Sequence, residues 1–435
     1  MNQVIIDFSK KTGTVKPMHA VNNGPVHKVS GGQLRSNLET FTKAAFPCVR
    51  NHDAAFCAAY GGEHIVDIGA VFPDFAQDPE NPEAYDFTLT DQYLKSIART
   101  GSEILYRLGS KIEHASKKYG TRVPEDFQKW ASVCEHIIRH YNEGWANGLH
   151  MDIKYWEIWN EPDQNPDEDP PEEKLCWSGT AAQFYELYKV TAVHLKKKFP
   201  GLKIGGPAIS HPVPNAWLDG FLQTLGGTVP LDFFSWHRYT TDPHELAEQA
   251  VQVRNTLDQY GYPDAESILN EWNYISDWDE KFISSIETII SMKGAAFDFA
   301  CMSHCQNAPV DMLMYYDARP GCFNGLFDFY TMRPLKGYYA FLIFSALYAL
   351  KNTVSCTTDA DDLYITAASG SHDMAAICYY TDDDSAQPKT IQIQLEHFRG
   401  DTLCLLDQNH NYEEIGKTGP VFEITLEPNT LIVIK

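Results

Sequence analysis

Two short apolar runs in this sequence each end in Asn-Glu: Tyr155-Trp156-Glu157-Ile158-Trp159-Asn160-Glu161-Pro162 and Ser267-Ile268-Leu269-Asn270-Glu271-Trp272-Asn273. Each reads as a buried strand that delivers an amide and a carboxylate to a loop. Pro162 marks the end of the first, because proline has no N–H to give a sheet ladder. Two carboxylates facing each other across a pocket are the minimal apparatus for cleaving a glycosidic bond. One, held protonated, donates to the leaving oxygen; the other, ionised, attacks the anomeric carbon or activates water. Close approach would itself separate their pKa values, since two like charges in one site do not both ionise cheaply. A strand-end carboxylate can also serve in a structural ion pair, and Asn160 could merely cap a turn. The repetition of the same context favours chemistry.

The elements that would position these residues alternate along most of the chain. Strand-like segments are expected near Met18–Val21, then at Ala45–Arg50, Glu103–Leu108, Ile153–Trp159, Leu202–Gly205, Asp232–His237, Ser267–Leu269 and Asp311–Tyr316. Amphipathic stretches separate them. In Pro124–Tyr141, the residues Phe127, Trp130, Ala131, Cys134, Ile137, Ile138 and Tyr141 recur at helical spacing, and Ala181–Phe199 behaves similarly before Pro200-Gly201 stops it. About eight strands in strict alternation with helices favour an α/β fold of the (β/α)8 barrel type over residues 14–345. Such barrels place their chemistry at the C-terminal ends of the strands, where both Asn-Glu pairs would fall.

Beyond residue 345 the pattern changes to short period-2 runs with turn-rich joints and no helix, as in Met374–Tyr380, Thr390–Leu395 and Val421–Leu426. This predicts an all-β domain over 346–435, a β-sandwich, joined by the N-terminal strand within residues 1–13.

Composition narrows the partners. A net charge of −23, from 35 basic and 58 acidic residues, argues against nucleic acid and anionic membrane surfaces. The apolar segment Tyr338–Leu350 is too short to span a bilayer and reads as a buried helix. The amino terminus lacks the apolar stretch of a secretory signal, and ten cysteines occur without a CxxC pair. A reduced, cytoplasmic protein is expected. Gly205-Gly206-Pro207 lacks the lysine and spacing of a phosphate loop, and no histidine–acid cluster has metal-ligand spacing. No metal and no cofactor are expected.

The ordered set of motifs resembles a known group. Trp159-Asn160-Glu161-Pro162, Asn270-Glu271-Trp272 and Ile204-Gly205-Gly206-Pro207-Ala208 look like the retaining glycoside hydrolases of clan A, and most like family 39, which holds β-xylosidases and α-L-iduronidases. Val49-Arg50-Asn51-His52, Ser235-Trp236-His237-Arg238-Tyr239 and Gly337-Tyr338-Tyr339-Ala340-Phe341 agree further. The resemblance implies double displacement, with Glu161 as general acid/base on strand four and Glu271 as nucleophile on strand seven. It implies that Asn160 contacts the sugar 2-hydroxyl, and that Arg50, His52, His237 and Tyr239 line the pocket. Trp272 is a candidate sugar platform, as are Trp177 and Trp278. Three departures bear on the sugar: Asp163 follows Asn-Glu-Pro where many relatives have Asn, Asn270 stands where Thr is frequent, and Met314-Tyr315-Tyr316-Asp317 lacks the tryptophan that often floors the subsite. The expected activity is an exo-acting, β-xylosidase-like hydrolysis of oligosaccharides, possible also in a homo-oligomer. Alternatives are arabinosidase, galactosidase or glucosidase action, transglycosylation, or non-catalytic carbohydrate binding.

Overall fold

The computed structural model describes residues 2–30, 33–54 and 64–435. Strand β1, Asn2–Thr14, belongs to the C-terminal sheet. β2 (Ala20–Asn22) opens the barrel, and β3 (His27–Ser30) and β4 (Gln33–Ser36) pair in a separate two-stranded antiparallel sheet. The other barrel strands are β5 (Cys48–Arg50), β6 (Glu103–Leu108), β7 (Tyr155–Ile158), β8 (Lys203–Ile209), β9 (Phe233–Thr240), β10 (Glu266–Tyr274) and β11 (Met312–Tyr315). The eight close in sequence order, each parallel to its neighbours, with β11 paired back onto β2. This is the expected (β/α)8 barrel. At least one helix lies between successive barrel strands, as parallel connections require.

The helices form where periodicity and end signals agree. Phe127–Glu143 starts at Asp126, whose carboxylate accepts the N–H groups of Gln128 and Lys129, and stops at Gly144 with φ +76°. Ala181–Lys198 opens on a Thr180/Gln183 capping box. Lys336–Leu350 is the buried helix expected near Tyr338, and no described helix is long and apolar enough to cross a membrane. The division anticipated between residues 345 and 346 falls inside this helix, which continues to Leu350 because Ile343, Phe344 and Leu347 are still packing against the barrel core.

The C-terminal strands are β12 (Asn352–Thr358), β13 (Leu363–Ser369), β14 (Asp373–Tyr379), β15 (Lys389–Glu396), β16 (Thr402–Leu406), β17 (Asn411–Lys417), β18 (Val421–Leu426) and β19 (Thr430–Ile434). With β1 they form one continuous sheet in the order β17-β16-β19-β14-β13-β12-β1-β15-β18. The sheet curls until its two arms meet across a core of Val4, Ile6, Ile377, Ile393 and Ile432. β1 joins the arms, antiparallel to β12 and parallel to β15. The alternate residues of β14, Met374, Ala376 and Cys378, face the barrel's hydrophobic core instead. β14 is therefore buried on both faces, which fixes its register and seats the domain on the barrel. The nine cysteines that are described are all free.

Candidate active site

The barrel interior changes character along its axis. Its lower layer is apolar: Ala20, Cys48, Leu105, Phe233, Ile268, Met312 and Met314, with Tyr155 beside them. Side chains two residues apart on a strand share a face. The next layer toward the C-terminal ends therefore contains Asn22, Arg50, Arg107, Glu157, Ser235 and Asn270, all completely buried. Polar groups so deep must satisfy one another.

Arg50 organises that layer. Its Nε donates to Glu157 Oε2 at 2.6 Å, and Nη1 donates to Glu271 Oε1 at 2.7 Å and to Asn22 Oδ1 at 3.1 Å. Its Nη2 donates to Asn160 Oδ1 at 2.6 Å. The second oxygen of Glu157 accepts from the Asn270 amide. One guanidinium thus ties together strands β2, β5, β7 and β10 and points two of its arms at the residues of the two Asn-Glu pairs.

Local backbone irregularities aim both carboxylates into the pocket. In the pairing of β10 with β9, Leu269 lies opposite Trp236 and Glu271 opposite His237, so Asn270 is an extra residue, a bulge. The bulge lets Asn270 and Glu271 both face inward, and Asn22 Nδ2 holds it by donating to the Asn270 carbonyl at 2.7 Å. Beyond β7, Trp159 and Glu161 take positive φ of +77° and +47°, and the Glu161 N–H donates to the Ala208 carbonyl at 2.9 Å. Such conformations in non-glycine residues gather at functional sites. β8 approaches closely because a Cβ at Gly205 would lie 2.2 Å from the Phe233 carbonyl oxygen.

Oxygens of Glu161 and Glu271 and a ring nitrogen of His237 lie within 4.8 Å of one another. His237 Nδ1 is 2.7 Å from Glu161 Oε1 and 3.6 Å from Glu271 Oε2. Tyr239 donates its hydroxyl to Glu271 Oε2 at 2.9 Å, and Cys176 Sγ lies 3.8 Å from Glu161 Oε2. Burial, followed by the negative charge of Asp163, pushes Glu161 up to about 7. Burial also raises Glu271, while His237 and Arg50 pull it back down and the charge of Glu161 adds to the rise. The two differ in their donors. Glu271 has a guanidinium and a phenol in direct contact, whereas Arg50 touches Glu161 only through space. These donors favour the ionised form of Glu271 and leave Glu161 as the carboxyl that holds a proton more readily. Burial disfavours the charged form of His237, and its Nδ1 shares one hydrogen bond with the acid.

Of the residues singled out in the sequence, Arg50, Asn160, Glu161, His237, Tyr239 and Glu271 come together in this cluster. His52 lies next to it: its carbonyl accepts from Arg107 Nη2 at 3.0 Å, and its ring meets Tyr316 edge-on at 6.0 Å. Trp272 is placed elsewhere. With the bulge at Asn270 and Glu271 facing in, Trp272 faces out and packs among Phe297, Tyr315 and Phe341, with no exposure. Its ring cannot floor the pocket. Trp177 is likewise buried, against Trp159 and Phe184. Glu157 and Asn22 were not singled out, although inward alternation from Tyr155 and Ala20 would have found them.

Glu161, His237 and Glu271 are close enough to suggest a cation site. The donor set does not fit one. His237 Nδ1 is already engaged by Glu161, and Arg50 supplies the positive charge against Glu271 at 2.7 Å.

Fold and site together define a (β/α)8-barrel protein with a half-buried carboxylate, Glu161, and a buried one, Glu271, at the C-terminal ends of its fourth and seventh barrel strands. Residues 61–261 match the family model described as glycosyl hydrolases family 39. It is 31% identical over 168 residues to a β-xylosidase of Caldicellulosiruptor saccharolyticus, covering 34% of this chain and 31% of that protein. To a β-xylosidase of Geobacillus stearothermophilus it is 25% identical over 237 residues, covering 48% and 44%. The matches thus span less than half of either relative's length. The fold superposes on the crystal structure of a glucosidase from Croceicoccus marinus with a TM-score of 0.82 at 22% identity, covering 100% of this chain and 98% of that one.

Proposed function

We propose that the protein is a retaining glycoside hydrolase acting by double displacement, with Glu271 as nucleophile and Glu161 as general acid/base. The observation that carries this reading is the carboxylate pair itself, with oxygens within 4.8 Å and opposite electrostatic surroundings. Retaining enzymes hold their carboxyl groups about 5–5.5 Å apart, whereas inverting ones need roughly 6.5–9.5 Å to admit water between them. In the first step Glu271 Oε attacks the anomeric carbon as the bond to the leaving oxygen breaks, and Glu161 gives that oxygen its proton. In the second step Glu161, now ionised, takes a proton from water, which attacks the anomeric carbon and releases Glu271. Arg50 and Tyr239 keep Glu271 charged and oriented before attack. Asn160, fixed by Arg50, presents its amide nitrogen to the sugar 2-hydroxyl.

Glu271 is only 5% exposed, which favours action at the end of a glycan over its middle. The family match and the two β-xylosidase relatives favour a β-xyloside over other sugars. A 2-deoxy-2-fluoro glycoside series tests the proposal. The expected result is a 2-fluoroxylosyl ester on Glu271 detected by peptide mass spectrometry. A label on another residue, or on none while turnover continues, removes Glu271 as nucleophile. Preferential trapping by the gluco or arabino reagent changes the sugar and leaves the mechanism.

A further inference from the structure

All nine tryptophans are described, and Trp278 alone among them is strongly exposed, at 55%. Leaving so large a ring in water forgoes the burial that usually stabilises such a side chain. Its position gives a reason. Trp278 lies in the loop after β10, seven residues beyond Glu271, and its ring meets Tyr239 edge-on at 5.0 Å and 77°. Tyr239 in turn donates to Glu271. A single side chain therefore spans from the carboxylate to the exposed indole.

The ring is also braced. Phe282 stacks near it at 6.1 Å and 20°, and Phe323 packs at 6.2 Å against Trp278 and at 5.9 Å against Phe282. Phe323 also contacts Tyr316 at 5.6 Å, so the aromatic wall continues to the end of β11. Tyr316 is not available as a free platform, because its hydroxyl donates to Asp53 at 3.1 Å and its ring is set against His52. Among the described residues, the exposed aromatic face beside the carboxylates thus comes from the β10 loop. Aromatic faces carry negative charge density, and the axial C–H groups of a pyranose, like the edge of an aryl ring, are slightly positive.

Resting on the glycosidase reading above, we infer that Trp278, backed by Phe282 and Phe323, is a subsite for a second ring adjoining the sugar held between Glu161 and Glu271. That ring is the neighbouring sugar of an oligosaccharide or an aryl group in its place. The face supplies binding and has no part in bond cleavage, so its loss should appear only with substrates that carry the second ring.

The test is steady-state kinetics of the wild type, Trp278→Ala and Trp278→Phe on three substrates: xylosyl fluoride, which has no second ring, p-nitrophenyl β-xyloside and xylobiose. Trp278→Ala should raise KM on the order of ten-fold for the two ring-bearing substrates, with kcat and the fluoride reaction within about two-fold of wild type. Trp278→Phe should recover most of the loss. A loss confined to xylobiose assigns the face to a sugar, and one confined to the nitrophenyl substrate assigns it to aryl groups. Equal losses on all three substrates, or on none, overturn the subsite. If the wild type turns over none of them, the glycosidase reading fails separately. Calorimetric titration with xylobiose then decides the face: binding lost in Trp278→Ala keeps it, and no binding or unchanged binding removes it.

Discussion

His237 holds its Nδ1 2.7 Å from Oε1 of Glu161, with its ring 1% exposed and its charged form disfavoured by burial. The pair shares one proton at the point where a leaving group would take it. Because burial and Asp163 push Glu161 up to about 7, the acid is protonated below that pH and ionised above it. The kcat/KM profile for a xyloside should therefore lose activity on a basic limb near pH 7. Glu161→Ala should remove that limb. It should also cost roughly 10²–10⁴-fold with poor leaving groups and far less with activated aryl ones. Equal losses with both kinds of leaving group would show that Glu161 is not the acid.

Asp163 provides a way to move the limb without touching the acid. Its Oδ1 accepts the Ser210 N–H at 2.9 Å and its Oδ2 the His211 N–H at 2.8 Å, with the His211 ring 3.4 Å away. The groups facing Glu161 are Asp163 on its own loop, Arg50, His237 and Glu271 on β5, β9 and β10, and Cys176 and His211 on the loops after β7 and β8. Asp163 raises Glu161, and His211, itself raised by its bond to Asp163, lowers it. Asp163→Asn should shift the basic limb to lower pH, and His211→Ala should shift it to higher pH. Opposite displacements in the two profiles are the expected signature, and an unmoved limb in both would show that the loop charges do not tune the acid.

The same shift bears on stability. Glu161 has an ordinary value of 4.5 and a folded one of about 7. Between those values the folded chain keeps a proton that the unfolded chain releases, so stability falls as pH rises through this window. Glu161→Gln keeps the shape and cannot ionise. It should melt close to the wild type at pH 4.5 and above it at pH 8, by a few degrees in a thermal scan. A variant that melts below the wild type at pH 8 would contradict the buried-charge account.

Much of this was legible beforehand for a physical reason. Glu103–Leu108 is legible as a strand because Ile104, Leu105, Tyr106 and Leu108 crowd it with apolar residues, leaving only Arg107 as a buried charge. Glu161 and Glu271 stood out because their Asn-Glu pairs end such runs. Trp272 as a platform conflicts with Glu271 as an inward carboxylate, since neighbours on a strand face opposite ways; the residue that breaks alternation is Asn270, at the bulge, and nothing in the local composition signals it. β17, Asn411–Lys417, is exposed almost throughout, with Glu413 and Glu414 at its centre, so it lacks the apolar alternation that would identify a strand. β12 is half polar for a similar reason: Thr357 and Thr358 reach the exposed margin. Glu157 was passed over as part of an apolar strand, although it is the inward-facing partner that Arg50 requires.

Arg50 itself gives the sharpest separation of structural from chemical roles. Its guanidinium is fully buried against Glu157 and Glu271, so Arg50→Met leaves two carboxylates in the barrel without their counter-charge. Removing one partner of a buried pair costs about 3–5 kcal/mol. Denaturant unfolding at pH 7 should show a loss of that order, and the deficit should shrink at lower pH as Glu271, already raised by burial, takes up a proton. Glu157 retains the Asn270 amide and Glu271 retains the Tyr239 hydroxyl, so the fold should survive. Adding Glu157→Gln to Arg50→Met removes one stranded charge and should return a substantial part of the stability. It should return none of the turnover, because Glu271 would still lack the cation that keeps it ionised for attack. If activity recovered along with stability, Arg50 would be a scaffold for Glu157 alone, and the charge asymmetry assigned to the two catalytic candidates would need another source.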